Sequence, residues 1–155
     1  MRAAGSSVGD VRAHLADGQL PGHTVTVRRS TLVAGVTRRR DQERGLVVTV
    51  DAASDLEPLP AAVEVAAYHI VSEALTNVVK HARARECTVR LRRQEDALLV
   101  EVDDDGIGLA SAYRAGAGLT TIRERASELG GEAIAVRGPT GGTVVQARLP
   151  LLGRP

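Results

Sequence analysis

A chain of 155 residues that contains two tyrosines and no phenylalanine or tryptophan must build its interior from Val, Leu, Ile and Ala. The length suits one domain of ordinary size with a real core. The same scarcity limits ligands. A planar molecule would sit between aliphatic walls and be specified by polar groups, because stacking partners are nearly absent.

The net charge of +1 is too even for a dedicated nucleic-acid binder, so no nucleic-acid partner is expected. No apolar run approaches the ~20 residues of a membrane span, since Glu64 and Glu73 cut the best ones, and no membrane contact is expected. The opening MRAAGSSVGDVR has no apolar segment and does not signal secretion. A single cysteine, Cys87, can form no internal disulfide, which fits a reducing, cytoplasmic setting and no cysteine-based metal site.

Residues 1–7 read as a disordered lead-in and residues 8–17 as a short helix, broken by DGQLPGHT from Asp17 to Thr24. A second helix is predicted from Thr31 to Arg44, with Leu32, Val33 and Val36 apolar and Gly45 as its stop. Leu46–Asp51 is rich in β-branched residues and predicts a strand. Ala61–Ala84 predicts the longest helix, its stripe being Val63, Ala67, Ile70, Ala74, Val78 and Ala82. Cys87–Arg93 and Ala97–Asp103 alternate apolar and polar residues, as a hairpin with one wet face does. A Gly-rich loop, Asp104–Gly118, leads to a helix with Leu119, Ile122, Ala126 and Leu129 inward. Two closing strands flank PTGG. This order predicts an α+β two-layer sandwich with helices on one face of a mixed sheet.

Three places could carry chemistry. On the long helix Glu73, Asn77 and Lys80 lie at i, i+4 and i+7, with His69 and His81 close to the stripe. A carboxylate, an amide oxygen and an ammonium in a row can serve a hydrated Mg²⁺ and a phosphate chain. A solvated face with an incidental Glu–Lys pair looks the same. His69 and Glu73 do not form the HExxH zinc arrangement. Second, Asp104-Asp105-Gly106-Ile107-Gly108 directly follows a strand. Asp104 can accept a hydrogen bond from an exocyclic amine, while glycines let backbone approach a flat ring. An acidic turn remains the alternative. Third, GAGL, Gly116 to Leu119, opens a helix whose free N–H groups suit an anion. It matches neither GxGxxG nor the phosphate-loop pattern. Gly141-Gly142-Thr143 is equally compatible with a plain hairpin turn.

The order is more specific than any single motif. EALTNVVKHA, then DDDGIG, then GAGLTTIRERASELGG, then GGTVVQARLP resembles the ATP-binding catalytic domain of sensor histidine kinases, within the GHKL group. The sub-type looks like the NarL/DesK-like kinases, and the resemblance covers about two-thirds of the chain, from Gly45 to Leu152. It implies the Bergerat-type sandwich over residues 45–152, with residues 1–44 as a lead-in and a possible remnant of a dimerisation segment. ATP and Mg²⁺ are the cofactors implied. Asn77 would ligate Mg²⁺, with Glu73 orienting a water or ligand beside it and Lys80 and His81 near the phosphates. Asp104 would take the adenine amine, with Gly106 and Gly108 shaping the base pocket. Gly116 and Gly118 would hinge a lid, with Leu119 completing that box, and Thr143 would support adenine through its hydroxyl.

The implied partners are a domain bearing a phosphoacceptor histidine and a response regulator. The acceptor itself is not evident here, because neither His14 nor His23 stands in an HDxxG-like motif. The expected function is transfer of the ATP γ-phosphate to a histidine supplied elsewhere. The alternatives are a nucleotide-binding regulatory protein without kinase activity and an anti-sigma-type serine kinase of the same fold. RERASELGG favours the histidine-kinase branch over the latter.

Overall fold

The computed structural model describes residues 23–28, 32–38, 46–53, 56, 58–108, 117–139 and 141–152. Its strands are β1 (His23–Arg28), β2 (Leu32–Arg38), β3 (Leu46–Ala52), β4 (Glu86–Gln94), β5 (Ala97–Asp104), β6 (Glu132–Arg137) and β7 (Thr143–Pro150). They form one sheet in the order β1-β2-β3-β4-β5-β7-β6. Every neighbouring pair is antiparallel except β3 and β4, which run parallel. Parallel neighbours need a crossover connection. Helix α1 (Ala61–Asn77), prolonged by a π turn (Val78–Ala82), is that crossover.

Pro60 precedes α1 with φ −59°, already close to helical, where a missing N–H costs nothing. The predicted stripe is buried at all six positions, and Ala66, Val71 and Leu75 widen it. Ile70 is fully buried. These side chains pack on Val48, Val50, Val89, Val100 and Val102 of the sheet. Helix α2 (Ala117–Glu128) packs beside α1 and adds Ile122 and Ala126 to the same core, while Leu119 and Leu129 are only half-buried. Gly130, at φ +73°, takes the left-handed conformation that ends the helix. Both helices thus lie on one face of a mixed sheet, the expected architecture.

The opposite face is wet, as the alternation in the hairpin predicts. Arg90 bridges to Glu101, which also accepts from Gln146, and Arg92 bridges to Asp51. Cross-strand pairs of this kind, exposed to water, contribute little individually.

One expectation is overturned. The helix predicted over 31–44 is instead strand β2, Leu32–Arg38, hairpinned to β1 and laddered against β3. Leu32, Val33 and Val36 fit a helical spacing, but Gly35 and the β-branched Val33, Val36 and Thr37 weaken a helix and suit a strand. The open edge of β3 decides the matter, by offering a ladder that no local pattern reveals. The sheet therefore continues across residue 44. The short helix expected over 8–17 and the lead-in at 1–7 lie outside the described residues.

Ile70→Ala should destabilise the chain by ~2–5 kcal/mol in chemical denaturation, because it opens a cavity under α1. Val65→Ala, on the exposed face of the same helix, should cost less than ~0.5 kcal/mol. Similar losses at both positions would contradict this packing.

Candidate functional site

Glu73 and Asn77 stand one helical turn apart on the half-buried flank of α1. The first turn of α2 lies directly over them. A methyl carbon built on Gly118 would stand 2.6 Å from Glu73 Oε1, 2.7 Å from Asn77 Nδ2 and 2.9 Å from Asn77 Oδ1. A side chain there would displace the ends of Glu73 and Asn77. A carboxylate and an amide oxygen thus converge on one cradle at a helix N-terminus. That donor set suits a hydrated Mg²⁺, which uses few protein oxygens and keeps several waters. The orphan N–H groups of the first turn of α2 suit an anion beside it.

Beyond Asn77 the helix widens into the π turn, and Arg83 at φ 52° ends it. Single π turns inside helices are frequent at functional sites. Lys80 and His81 lie on this turn. Both are exposed, and neither enters an ion pair among the described residues.

The second half of the site is the end of β5. Asp104 is 3% exposed and Thr143 is 1% exposed, and they are the buried polar residues among those described. Asp104 Oδ1 accepts from the backbone N–H of Gly106 at 2.8 Å, and the N–H of Thr143 also donates to this carboxylate. Burial pushes the carboxyl above its ordinary range, against those two hydrogen bonds, and Asp103 and Asp105 push the same way. Cys87 lies opposite Asp104 in the β4–β5 ladder. It is buried, and desolvation raises its thiol far above the usual range, so the wall beside Asp104 is neutral.

The loop after Asp104 is wedged between two other backbone segments. On one side, the N–H of Ile107 donates to Ala82 O at 2.8 Å, and a Cβ on Gly106 would fall 2.1 Å from that oxygen. On the other side, a Cβ on Gly142 would fall 1.6 Å from Asp104 O. Gly108, at φ +80°, lies against Gly141 O. The structure thus brings Glu73, Asn77 and Gly118 into one group and Asp104, Gly106, Gly108 and Thr143 into another. Leu119 follows Gly118 in α2, and Gly116 lies outside the described residues.

Two features escape sequence reasoning. Gly142 packs on the Asp104 backbone, and only the Gly141-Gly142 doublet hinted at a close approach. Asp105 reads as part of an acidic run, yet its carboxylate accepts from the backbone N–H of Arg85 and of Glu86. No local pattern signals that partnership.

Residues 62–153, more than half of the chain, match the family described as histidine kinase-, DNA gyrase B- and HSP90-like ATPase, and the chain belongs to that family. It is 37% identical over 91 residues to the signal transduction histidine-protein kinase/phosphatase UhpB of Salmonella typhimurium, covering 58% of this chain and 18% of that protein. It is 34% identical over 158 residues to the sensor histidine kinase LiaS of Bacillus subtilis, covering 96% of this chain and 41% of that protein. The histidine kinase domain of the Erythrobacter litoralis EL346 blue-light activated histidine kinase superposes with a TM-score of 0.56 and 29% identity. That match covers 67% of this chain and 52% of the other. The chain therefore spans less than half the length of these two curated relatives.

Asp104→Asn should weaken nucleotide binding by ~1.5–3 kcal/mol in calorimetry, and more than Asp103→Asn or Asp105→Asn. It should not destabilise the empty protein in the same measure. Because burial raises the Asp104 pKa above its unfolded value, its stabilising contribution is present below the unfolded pKa and lost as pH rises through the folded one. Relative to wild type, Asp104→Asn should gain stability in denaturation curves as pH rises above about 4, where the unfolded carboxyl ionises and the buried one resists. Equal binding losses at all three positions would reduce the run to an acidic turn.

Proposed function

We propose that this chain is the ATP-binding catalytic domain of a two-component sensor histidine kinase, of the NarL/DesK-like branch. Its reaction transfers the γ-phosphate of ATP to a histidine carried by a separate phosphoacceptor domain, from which a response regulator is then served. The observation that carries the reading is the pairing of two sub-sites in one fold. One is a buried acid at the end of β5, and the other is the Glu73–Asn77–Gly118 cradle. ATP has matching ends, an amine-bearing base and a chain of phosphates.

In this reading the Asp104 carboxylate accepts from the exocyclic amine of adenine, and the Thr143 hydroxyl supports the same edge. Aliphatic side chains and the Gly106–Gly108 backbone form the walls. Asn77, with Glu73 beside it, would hold Mg²⁺, which when bound neutralises phosphate charge. The first turn of α2 presents N–H groups to the phosphates, and Lys80 and His81 lie near them on the π turn. By the family likeness, Gly116 and Gly118 would hinge a lid over the phosphates. Phosphoryl transfer needs positioning and charge neutralisation more than covalent help from the protein. The nucleotide unit is taken as residues 45–152, which hold every residue of the site. Dependence on ATP agrees with a cytoplasmic location.

The chain should bind MgATP or MgADP with a Kd between micromolar and millimolar, about −8 to −4 kcal/mol. With labelled ATP it should form no stable phosphohistidine by itself. Self-labelling needs an imidazole ~3–3.5 Å from the γ-phosphate and in line with it. His69 lies within α1, His81 on its π turn and His23 in β1. A phosphoacceptor domain from a related kinase, added in trans, should become labelled weakly, because no tether raises its effective concentration. A folded sample that binds no nucleotide would overturn the reading. Acid-labile, base-stable phosphate on His14 or His23 of the chain alone would replace it with a self-sufficient kinase.

A further inference from the structure

Asp105 follows the buried Asp104, yet it is exposed and its carboxylate reaches β4 rather than the pocket. Its Oδ1 accepts from the N–H of Arg85 at 2.8 Å and of Glu86 at 2.9 Å. Its own N–H donates to Glu86 O at 3.2 Å, and the N–H of Ile107 donates to Ala82 O at 2.8 Å. Residues 105–107 are thus laced to residues 82–86. The second segment begins at the end of the π turn that follows Asn77, and the first begins next to Asp104. Each is the continuation of one half of the site.

Side-chain packing anchors this seam only at Ala82, which is buried, and at Ala84, which lies partly buried against the core. Arg83, Arg85, Glu86, Asp105 and Ile107 are all exposed. Arg83, at φ 52°, turns the chain out of the helix, and β4 then starts with two N–H groups that need an acceptor. One carboxylate oxygen serves both. We infer that Asp105 is a positioning residue of the nucleotide site, holding the Asn77 end of α1 at a fixed distance from Asp104. The inference rests on the ATP-site reading above. It concerns geometry rather than charge, so an amide oxygen should serve as well as a carboxylate.

Nucleotide titrations of the full chain test this, with MgATP as the probe and the folded fraction checked by circular dichroism. Asp105→Ala should bind about tenfold more weakly than wild type, the equivalent of ~1.4 kcal/mol. Asp105→Asn, which keeps the acceptor, should stay within about threefold of wild type. Leu149→Val, a core change away from the seam, lowers stability without altering the site and should leave affinity unchanged. Amide exchange at Arg85 and Glu86 in the nucleotide-free protein should quicken in Asp105→Ala and not in Asp105→Asn. Wild-type affinity in Asp105→Ala, or an equal loss in Asp105→Asn, would overturn the positioning role. So would a matching loss in Leu149→Val, since general destabilisation would then explain the effect. Absence of binding by wild type would instead remove the ATP-site reading, which the exchange data do not depend on.

Discussion

The site depends on how closely backbone can approach backbone at the end of β5. The carbonyl of Ala82 is met by Gly106 and the carbonyl of Asp104 by Gly142, at separations where a single methyl group would collide. These contacts press the loop after Asp104 between the end of α1 and the turn before β7. A pocket assembled from side chains alone could loosen by rotamer changes, whereas one assembled from main chain cannot. That matters in a protein nearly devoid of aromatic residues, where aliphatic walls offer a ligand shape but no stacking.

The buried acid is the costly part of the arrangement. Asp104 is almost wholly removed from water, and two backbone N–H groups only partly offset its desolvation. A neutral residue would make a quieter core. Local rules of this sort are broken most often at functional sites, and Asp104 breaks one. In the cradle under α2, Gly118 lies against the side-chain ends of Glu73 and Asn77, at a cost in helix propensity.

Much of the sandwich was legible because its signals are local. The aliphatic stripe of α1, the alternation of the β4–β5 hairpin and the Gly130–Gly131 stop after α2 are each contained in a short window. The spacing of Glu73 and Asn77, and the acid before Gly106, also point to their sub-sites from within single motifs. What was hidden depends on distant partners. Val33 and Val36 fit helix or strand, and the open edge of β3 chose strand. The partners of Asp105 lie about twenty residues back along the chain. Gly142 gave no sign of the carbonyl it would meet.

The place of β7 has a consequence for how the protein comes into being. β6 precedes β7 in the chain but lies outside it in the sheet, and it touches the rest of the sheet only through β7. On a ribosome, β6 emerges first with no strand to pair with. It must wait until β7 inserts between it and β5. The same segment carries Thr143, whose N–H completes the surroundings of Asp104. A nascent chain therefore holds unfinished surroundings for Asp104 until β7 is made.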